Sequence, residues 1–171
     1  MCGIAGLYLK NEALYPKLGE LYQPMLIEMT SRGPDSAGVA IYRDPVADGE
    51  VKFSLAHDSD EYNWQALSDS LASSLSAVSR VEQNDTHAIL ITDANEQAVD
   101  SWLRESYDDV RIVGSGTTVE IYKETGLPKD VYERFDLASA SGHHMIGHTR
   151  MATESAVTTA GSHPFATGAD L

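Results

Sequence analysis

The chain has 171 residues, of which 42% are hydrophobic and 22% charged, and this is the composition of an ordinary globular domain with a sizeable core. No apolar run is long enough to span a bilayer. The net charge of -14 repels phosphate backbones and anionic lipid, and no local basic patch offsets it, so we expect neither nucleic-acid nor membrane binding.

Apolar periodicity predicts a mixed α/β or α+β layered domain. Strands are predicted at residues 4–9, 38–42, 51–55, 87–92, 110–116, 118–124 and 144–150. Helices are predicted at residues 18–29, 61–81, 95–107 and 130–137. Turn residues predict a hairpin between the second and third strands and another at residues 114–117. A phosphate loop at residues 114–117 would need a lysine and a following helix, and this segment has neither.

The single cysteine cannot form an internal disulfide, which agrees with a reducing compartment. The apolar start of the chain has no basic segment ahead of it and is interrupted by Lys10, so it does not resemble a secretory signal. We therefore expect a cytoplasmic protein.

That cysteine, Cys2, directly follows the initiator methionine. A lone cysteine in an apolar strand is most often a small buried hydrophobe. Removal of Met1 would, however, give Cys2 a free α-amine, whose ordinary pKa of about 7.7 to 8.0 lets it accept the thiol proton near neutral pH. Nucleophile and base would then occupy one residue, and we favour this catalytic interpretation over core packing.

Two further segments carry side chains suited to a binding site. Arg32, Gly33 and Asp35 lie in a Gly-Pro turn, where the arginine and the aspartate could pair, and a structural turn is the favoured interpretation. Arg150 ends the last predicted strand and Thr153 follows it. A guanidinium offers a bidentate fork to a carboxylate and a hydroxyl adds a neutral donor, so this pair is a candidate clamp for an amino-acid carboxylate; an internal salt bridge is the alternative.

Four of the six histidines lie near the end of the chain, at positions 143, 144, 148 and 163. The chain has one cysteine and no HExxH pattern, and neighbouring residues of a strand point to opposite faces. We therefore expect no metal site.

Four segments in order resemble the motifs of one enzyme family: MCGIAG at the start, SRGPDSAG about thirty residues later, GHTRMAT, and HPF. Together they resemble class II glutamine amidotransferases, whose glutaminase domain has the N-terminal-nucleophile (Ntn) fold. Within this family the chain looks most like stand-alone proteins related to the first domain of glutamate synthase, such as the amidotransferase-like subunit of N-methylglutamate synthase. Residues 46–141 look like an insert between the motifs, for which we slightly favour a docking role.

The resemblance implies a four-layer αββα sandwich of the Ntn type. It implies that processed Cys2 attacks the side-chain amide of glutamine, that its α-amine acts as base, and that water hydrolyses the γ-glutamyl thioester to glutamate. Arg150 would hold the α-carboxylate of glutamine and Thr153 would add a hydroxyl contact. The resemblance also implies a loop that supports the nucleophile: Arg32, Gly33 and Asp35.

The resemblance further implies that ammonia passes to a synthase partner. In the close relatives that partner is a separate flavin and iron–sulfur protein, so no cofactor is expected in this chain. An oligomer would be compatible with this scheme.

Three features depart from the family pattern. Glu154 stands where amino-sugar synthases carry histidine, and His163 replaces a glutamine common before Pro-Phe. The Asn-Gly pair of the family's oxyanion hole does not occur in the 171 residues, and losing one oxyanion donor typically costs about a hundred- to a thousandfold in rate. We therefore expect a partial, C-terminally truncated type 2 domain at residues 1–171, with negligible glutaminase activity by itself.

Two other functions remain open at this stage. The chain could belong to another branch of N-terminal-cysteine hydrolases that cleaves a different amide, although a carboxylate clamp favours glutamine. It could also be a non-catalytic module that keeps the fold to dock a glutamate synthase-like partner. The last hypothesis predicts that Met1 is retained, because a blocked amine cannot serve as the base.

Overall fold

The protein is described from a computed structural model, which covers residues 2–153 and 156–170. Its elements in chain order are β1 (Gly3–Tyr8), α1 (Leu18–Glu28), β2 (Ser36–Tyr42), β3 (Val51–Ala56), α2 (Trp64–Leu75), β4 (Ser79–Asn84), β5 (His87–Thr92), α3 (Glu96–Ser106), β6 (Arg111–Gly116), β7 (Val119–Thr125), α4 (Pro128–Arg134) and β8 (His144–Arg150). Short 3-10 turns lie at Glu12–Lys17, Met29–Arg32 and Leu137–Ser139. The predicted α+β class is confirmed.

The chain divides into two compact units. The first unit comprises Met1–Asp44 and Ile121–Phe165, and the second comprises Pro45–Glu120 and Ala166–Leu171. In the part of the chain that the structure describes, no helix has the length and apolarity needed to cross a membrane.

The first sheet has the strand order β1-β8-β2-β7, with β8 antiparallel to both β1 and β2. One face of this sheet packs against α1. Tyr22 and Leu26 of that helix are fully buried, and the Tyr22 hydroxyl donates a 2.8 Å hydrogen bond to the carbonyl of Ala5 in β1. A Cβ atom on Gly147 would lie 2.5 Å from that hydroxyl, so a glycine in β8 permits the close approach of helix and sheet.

The second sheet has the strand order β4-β5-β3-β6, and its described pairings are antiparallel. Apolar residues of β3 and β5 pack with α2 and α3 in one core, which contains Phe53, Leu55, Trp64, Leu67, Leu71, Ala88, Leu90, Val99, Leu103 and Val110. The alternation of these residues along the strands and their three- and four-residue spacing along the helices account for both elements.

The helix predicted at residues 61–81 is wrong at its C-terminal end. The helix α2 ends at Leu75, Ser76 adopts a left-handed backbone conformation with φ 52, and β4 follows. Val78, which falls inside the predicted helix, is 64% exposed. The sequence of β4, SRVEQN, contains a single apolar residue, so this edge strand gives almost no hydrophobic signal.

Both predicted hairpins are also wrong. The strands β2 and β3 belong to different sheets, and so do β6 and β7. In each case the chain leaves one sheet and enters the other at a segment rich in turn residues. Such residues indicate a change of direction but do not specify the strand with which the next segment pairs.

Candidate functional site

The strand pairing brings the predicted nucleophile and the predicted carboxylate clamp to the same end of the first sheet. Gly3 of β1 pairs with Thr149 of β8, and Ser36 of β2 pairs with Arg150. Cys2 directly precedes Gly3, so Cys2 and Arg150 lie at the ends of neighbouring strands although the sequence separates them widely. The Cys2 side chain is exposed, unlike the buried core cysteine of the structural alternative.

Two glycines allow the backbone to pack closely around this end of the sheet. A Cβ atom on Gly3 would lie 2.9 Å from Thr149 Oγ1 and 3.1 Å from Arg32 Cβ. A Cβ atom on Gly33 would lie 2.4 Å from the backbone nitrogen of Arg150. The predicted supporting loop is therefore packed directly against the strand that carries the candidate clamp.

Asp35 holds the backbone at Arg150 and just after it. Its own N–H donates to the Arg150 carbonyl over 3.1 Å, and its Oδ2 atom accepts a 2.7 Å hydrogen bond from the N–H of Ala152. Asp35 forms no ion pair with Arg32 among the described residues, so the pairing considered from the sequence is replaced by a backbone contact. A supporting role for Arg32, Gly33 and Asp35 stays a prediction.

The remaining predicted substrate contact, Thr153, lies beyond the end of β8 and is exposed. Its hydroxyl makes no hydrogen bond to any other described residue, and its role stays a prediction. Met1, whose removal the mechanism requires, and Glu154 lie outside the described residues.

Two histidines with no role assigned from the sequence lie in the electrostatic surroundings of Arg150. The rings of His148 and His163 are in contact, with their centroids 4.2 Å apart and their planes tilted by 33°. Burial, and then the neighbouring His163 and Arg150, lower the pKa of His148 to about 4. Burial also lowers the pKa of His163, with further contributions from Arg150 and Lys123, so both rings are neutral at neutral pH.

No group of three or more candidate metal ligands occurs within residues 2–153 and 156–170. His148 and Arg150 lie two positions apart in β8 and therefore on the same face of the sheet, and their spacing in the sequence could have indicated this. His163, by contrast, follows in a segment without periodicity, so no sequence signal indicated that the two rings meet.

Sequence reasoning also missed a segment that covers the sheet beside these rings. We call residues 158–165 the strap. The His163 carbonyl oxygen would lie 2.3 Å from a Cβ atom on Gly38, the residue that pairs with His148. Lys123 of β7 is only 5% exposed, and its Nζ donates to the carbonyl oxygens of Ser162 and Pro164 over 2.9 and 3.3 Å.

The known proteins that this chain is similar to carry names that agree with the motifs. No protein-family model matches the chain. Over 171 residues, 99% of the chain, it is 52% identical to a protein named "Glutamine amidotransferase-like protein GlxB" from Rhizobium meliloti (strain 1021). Over 179 residues, 96% of the chain, it is 32% identical to a protein named "Putative glutamine amidotransferase" from Methanothermobacter thermautotrophicus (strain Delta H).

These relatives support an amidotransferase family for the chain. The chain spans about half the length of the curated relatives it matches, namely 56% of each. Membership of class II and the Ntn type of the fold stay predictions.

The second unit holds a separate polar arrangement at the turn between β6 and β7. The Asp170 carboxylate accepts hydrogen bonds from the backbone N–H groups of Thr117, Thr118 and Val119, at 2.6 to 3.0 Å, and from both threonine hydroxyls. Burial alone would raise the pKa of this carboxyl, but the hydrogen bonds from Thr117 and Thr118 outweigh it and hold the pKa well below its usual range. Successive backbone N–H groups aimed at one anion form a nest.

Proposed function

We propose that the protein is a class II glutamine amidotransferase subunit with an Ntn-type glutaminase domain, acting in the cytoplasm. It would hydrolyse glutamine to glutamate and ammonia and would pass the ammonia to a glutamate synthase-like partner. The observation that carries the proposal is the register of the first sheet, in which Gly3 pairs with Thr149 while Ser36 pairs with Arg150. The names of the two relatives support it independently.

The proposed chemistry begins with removal of Met1. The α-amine of Cys2 accepts the thiol proton, and the thiolate attacks the side-chain carbonyl carbon of glutamine. The C–N bond then breaks as the ammonium of Cys2 returns its proton to the leaving nitrogen, which gives ammonia and a γ-glutamyl thioester. Water attacks the thioester, the C–S bond breaks, and glutamate leaves with the thiol restored.

Substrate recognition in this proposal falls to Arg150, which supplies charge-assisted hydrogen bonds to the α-carboxylate. The nearby imidazoles of His148 and His163 are neutral at neutral pH, so they add no cation and leave Arg150 as the charge that selects an amino acid. Thr153 would close on the substrate from the segment that follows β8. The supporting contacts of Asp35 keep the Arg150 backbone in place.

A glutamine analogue with an electrophilic diazoketone in place of the side-chain amide tests the proposal directly. The full-length protein is incubated with the analogue, digested, and analysed by tandem mass spectrometry, with Cys2→Ser as the control. We expect one adduct, at Cys2, on a chain that has lost Met1. An adduct at any other residue would contradict the mechanism.

The same samples separate the other two functions. A chain that retains Met1 and takes no adduct supports the non-catalytic docking module. A processed Cys2 that reacts with simple thiol reagents, in a protein that neither binds nor hydrolyses glutamine, supports a hydrolase of another amide.

A further inference from the structure

We propose that Lys123 is a positioning residue for the Arg150 clamp: together with Glu124 it fastens the strap beside Arg150 and so sets the shape of the carboxylate pocket. This inference rests on the proposed function. It assigns a purpose to two adjacent buried charges that the reaction itself does not use.

Lys123 holds the strap from one side of the sheet. Besides its bonds to the carbonyl oxygens of Ser162 and Pro164, its ammonium lies 4.5 Å from the ring centroid of Phe165. A buried ammonium is costly unless it is hydrogen-bonded, and backbone carbonyls and an aromatic face are suitable partners. These contacts place three of the last four strap residues relative to one side chain of β7.

Glu124 holds the strap from the other side. Its carboxylate accepts a hydrogen bond from the Thr159 hydroxyl, and its second oxygen lies 3.6 Å from Arg134 Nη1 of α4. Successive residues of a strand face opposite sides of the sheet, and β7 is an edge strand in the order β1-β8-β2-β7. Lys123 and Glu124 therefore bind the strap from opposite faces at the edge of the sheet.

The fastened strap reaches the candidate clamp at two points. A Cβ atom on Gly161 would lie 3.1 Å from Arg150 Nη1, so the strap backbone runs directly beside the guanidinium. Two residues later, the His163 ring makes a tilted contact with the ring of His148, which shares a face of β8 with Arg150. A guanidinium confined in this way is pre-organised for a carboxylate, since less side-chain freedom is lost on binding.

Internal hydrogen bonds make the strap a compact element between these contacts. The Gly161 N–H donates to Thr158 Oγ1 over 3.1 Å, and the Ser162 hydroxyl donates to the Thr158 carbonyl over 2.9 Å. Ser162 itself is fully buried. Loosening one end at Lys123 is therefore expected to displace the strap as a unit, including the part beside Arg150.

The experiment compares Lys123→Met with Lys52→Met in the full-length protein. Lys52 is a matched control because it is 3% exposed, lies in a strand, and is paired with Glu120 at 3.0 Å within the second unit. We expect Lys123→Met to raise KM for glutamine about tenfold or more, because displacements of about 1 Å remote from the chemistry can cost up to about a hundredfold. The kcat value should change far less, and Lys52→Met should leave KM unchanged even if it lowers the unfolding midpoint.

Glutamine methyl ester, which has no α-carboxylate, gives a readout that general destabilisation would not reproduce. Lys123→Met should leave kcat/KM for the ester near the parent value, because the contact that the strap positions is absent. A KM for glutamine within twofold of the parent, or equal increases in both lysine variants, would overturn the inference.

Failure of the proposed function would appear separately, as a parent protein that neither binds nor hydrolyses glutamine. Hydrogen exchange then tests the fastening itself through the Ser162 amide, which donates to the Thr159 carbonyl. Ser162 is fully buried, so displacement of the strap would expose this amide to water even if its hydrogen bond within the strap persists. Faster exchange of this amide in Lys123→Met than in Lys52→Met supports the role of Lys123. Equal protection in the two variants refutes it.

Discussion

Replacing Asp170 with asparagine removes the anion from the nest formed by Thr117, Thr118 and Val119. The carboxylate accepts bonds from three backbone N–H groups and two hydroxyls, whereas the amide offers one acceptor oxygen and turns two donors toward other donors. Each hydrogen bond to a charged group contributes about 1.5–3 kcal/mol. Because Asp170 is partly exposed, water replaces some of these bonds, and we expect a net loss of about 2–3 kcal/mol.

Urea unfolding measures this loss. For a slope of roughly 2–3 kcal/mol/M, the midpoint should fall by about 1 M. The matched control is Asp108→Asn, which removes an equal charge from an exposed turn and should leave the midpoint nearly unchanged. Equal midpoints for Asp170→Asn and Asp108→Asn would refute the reasoning.

The pH dependence of the Asp170→Asn effect supplies a second check. The fold lowers the pKa of the Asp170 carboxyl, so its contribution is complete above the unfolded value of about 4 and is lost as the pH falls below it. The difference in unfolding free energy between parent and variant should therefore be largest at neutral pH and shrink toward pH 2.5. A difference that stays constant over this range would show that the charge is not what stabilises the turn.

Two further substitutions test the surroundings of Arg150. The folded pKa of His148, about 4, is below its ordinary value, so the native state disfavours the proton and stability is lost as the pH falls from about 6.5 to 4. Replacing the ring in His148→Gln should reduce this loss by about 1–2 kcal/mol, a figure discounted for solvent screening. Urea unfolding of parent and variant at both pH values measures the difference. A Cβ atom at position 33 would lie 2.4 Å from the Arg150 backbone nitrogen, so Gly33→Ala should cost about 2 kcal/mol or more in urea unfolding and should weaken glutamine binding measured by calorimetry. Gly6→Ala, whose added Cβ would have its nearest atoms at 3.9 Å, should be close to neutral in both assays. An equal loss of stability on acidification in His148→Gln and the parent would contradict the first argument. Equal stabilities of Gly33→Ala and Gly6→Ala would contradict the second.

The sequence predicts those parts of the fold that local patterns determine. GVAIY and HAILIT are apolar runs of strand length, and both are strands. Partner choice is different, because it depends on contacts between distant segments. The strand β8 pairs with β1 and β2, which no turn signal near any of them could indicate.

The candidate site was likewise predictable from the sequence only in part. Cys2 and Arg150 were selected from the chemistry of their side chains and their motifs, and the strand register places them at the ends of neighbouring strands. Lys123 was overlooked because a lysine in a strand is ordinarily interpreted as solvent-facing. Its burial depends on carbonyl oxygens about forty positions away, and these are visible only in the folded chain.

The central claim is that Cys2 forms a thioester with the γ-glutamyl group of glutamine. The most direct measurement is intact mass spectrometry of the full-length protein, quenched with acid during glutamine turnover and compared with Cys2→Ser. The account predicts a chain without Met1 that carries one γ-glutamyl group at Cys2, and neither adduct nor ammonia release in the variant. Ammonia release that persists in Cys2→Ser, or a γ-glutamyl group on any other residue, would contradict it.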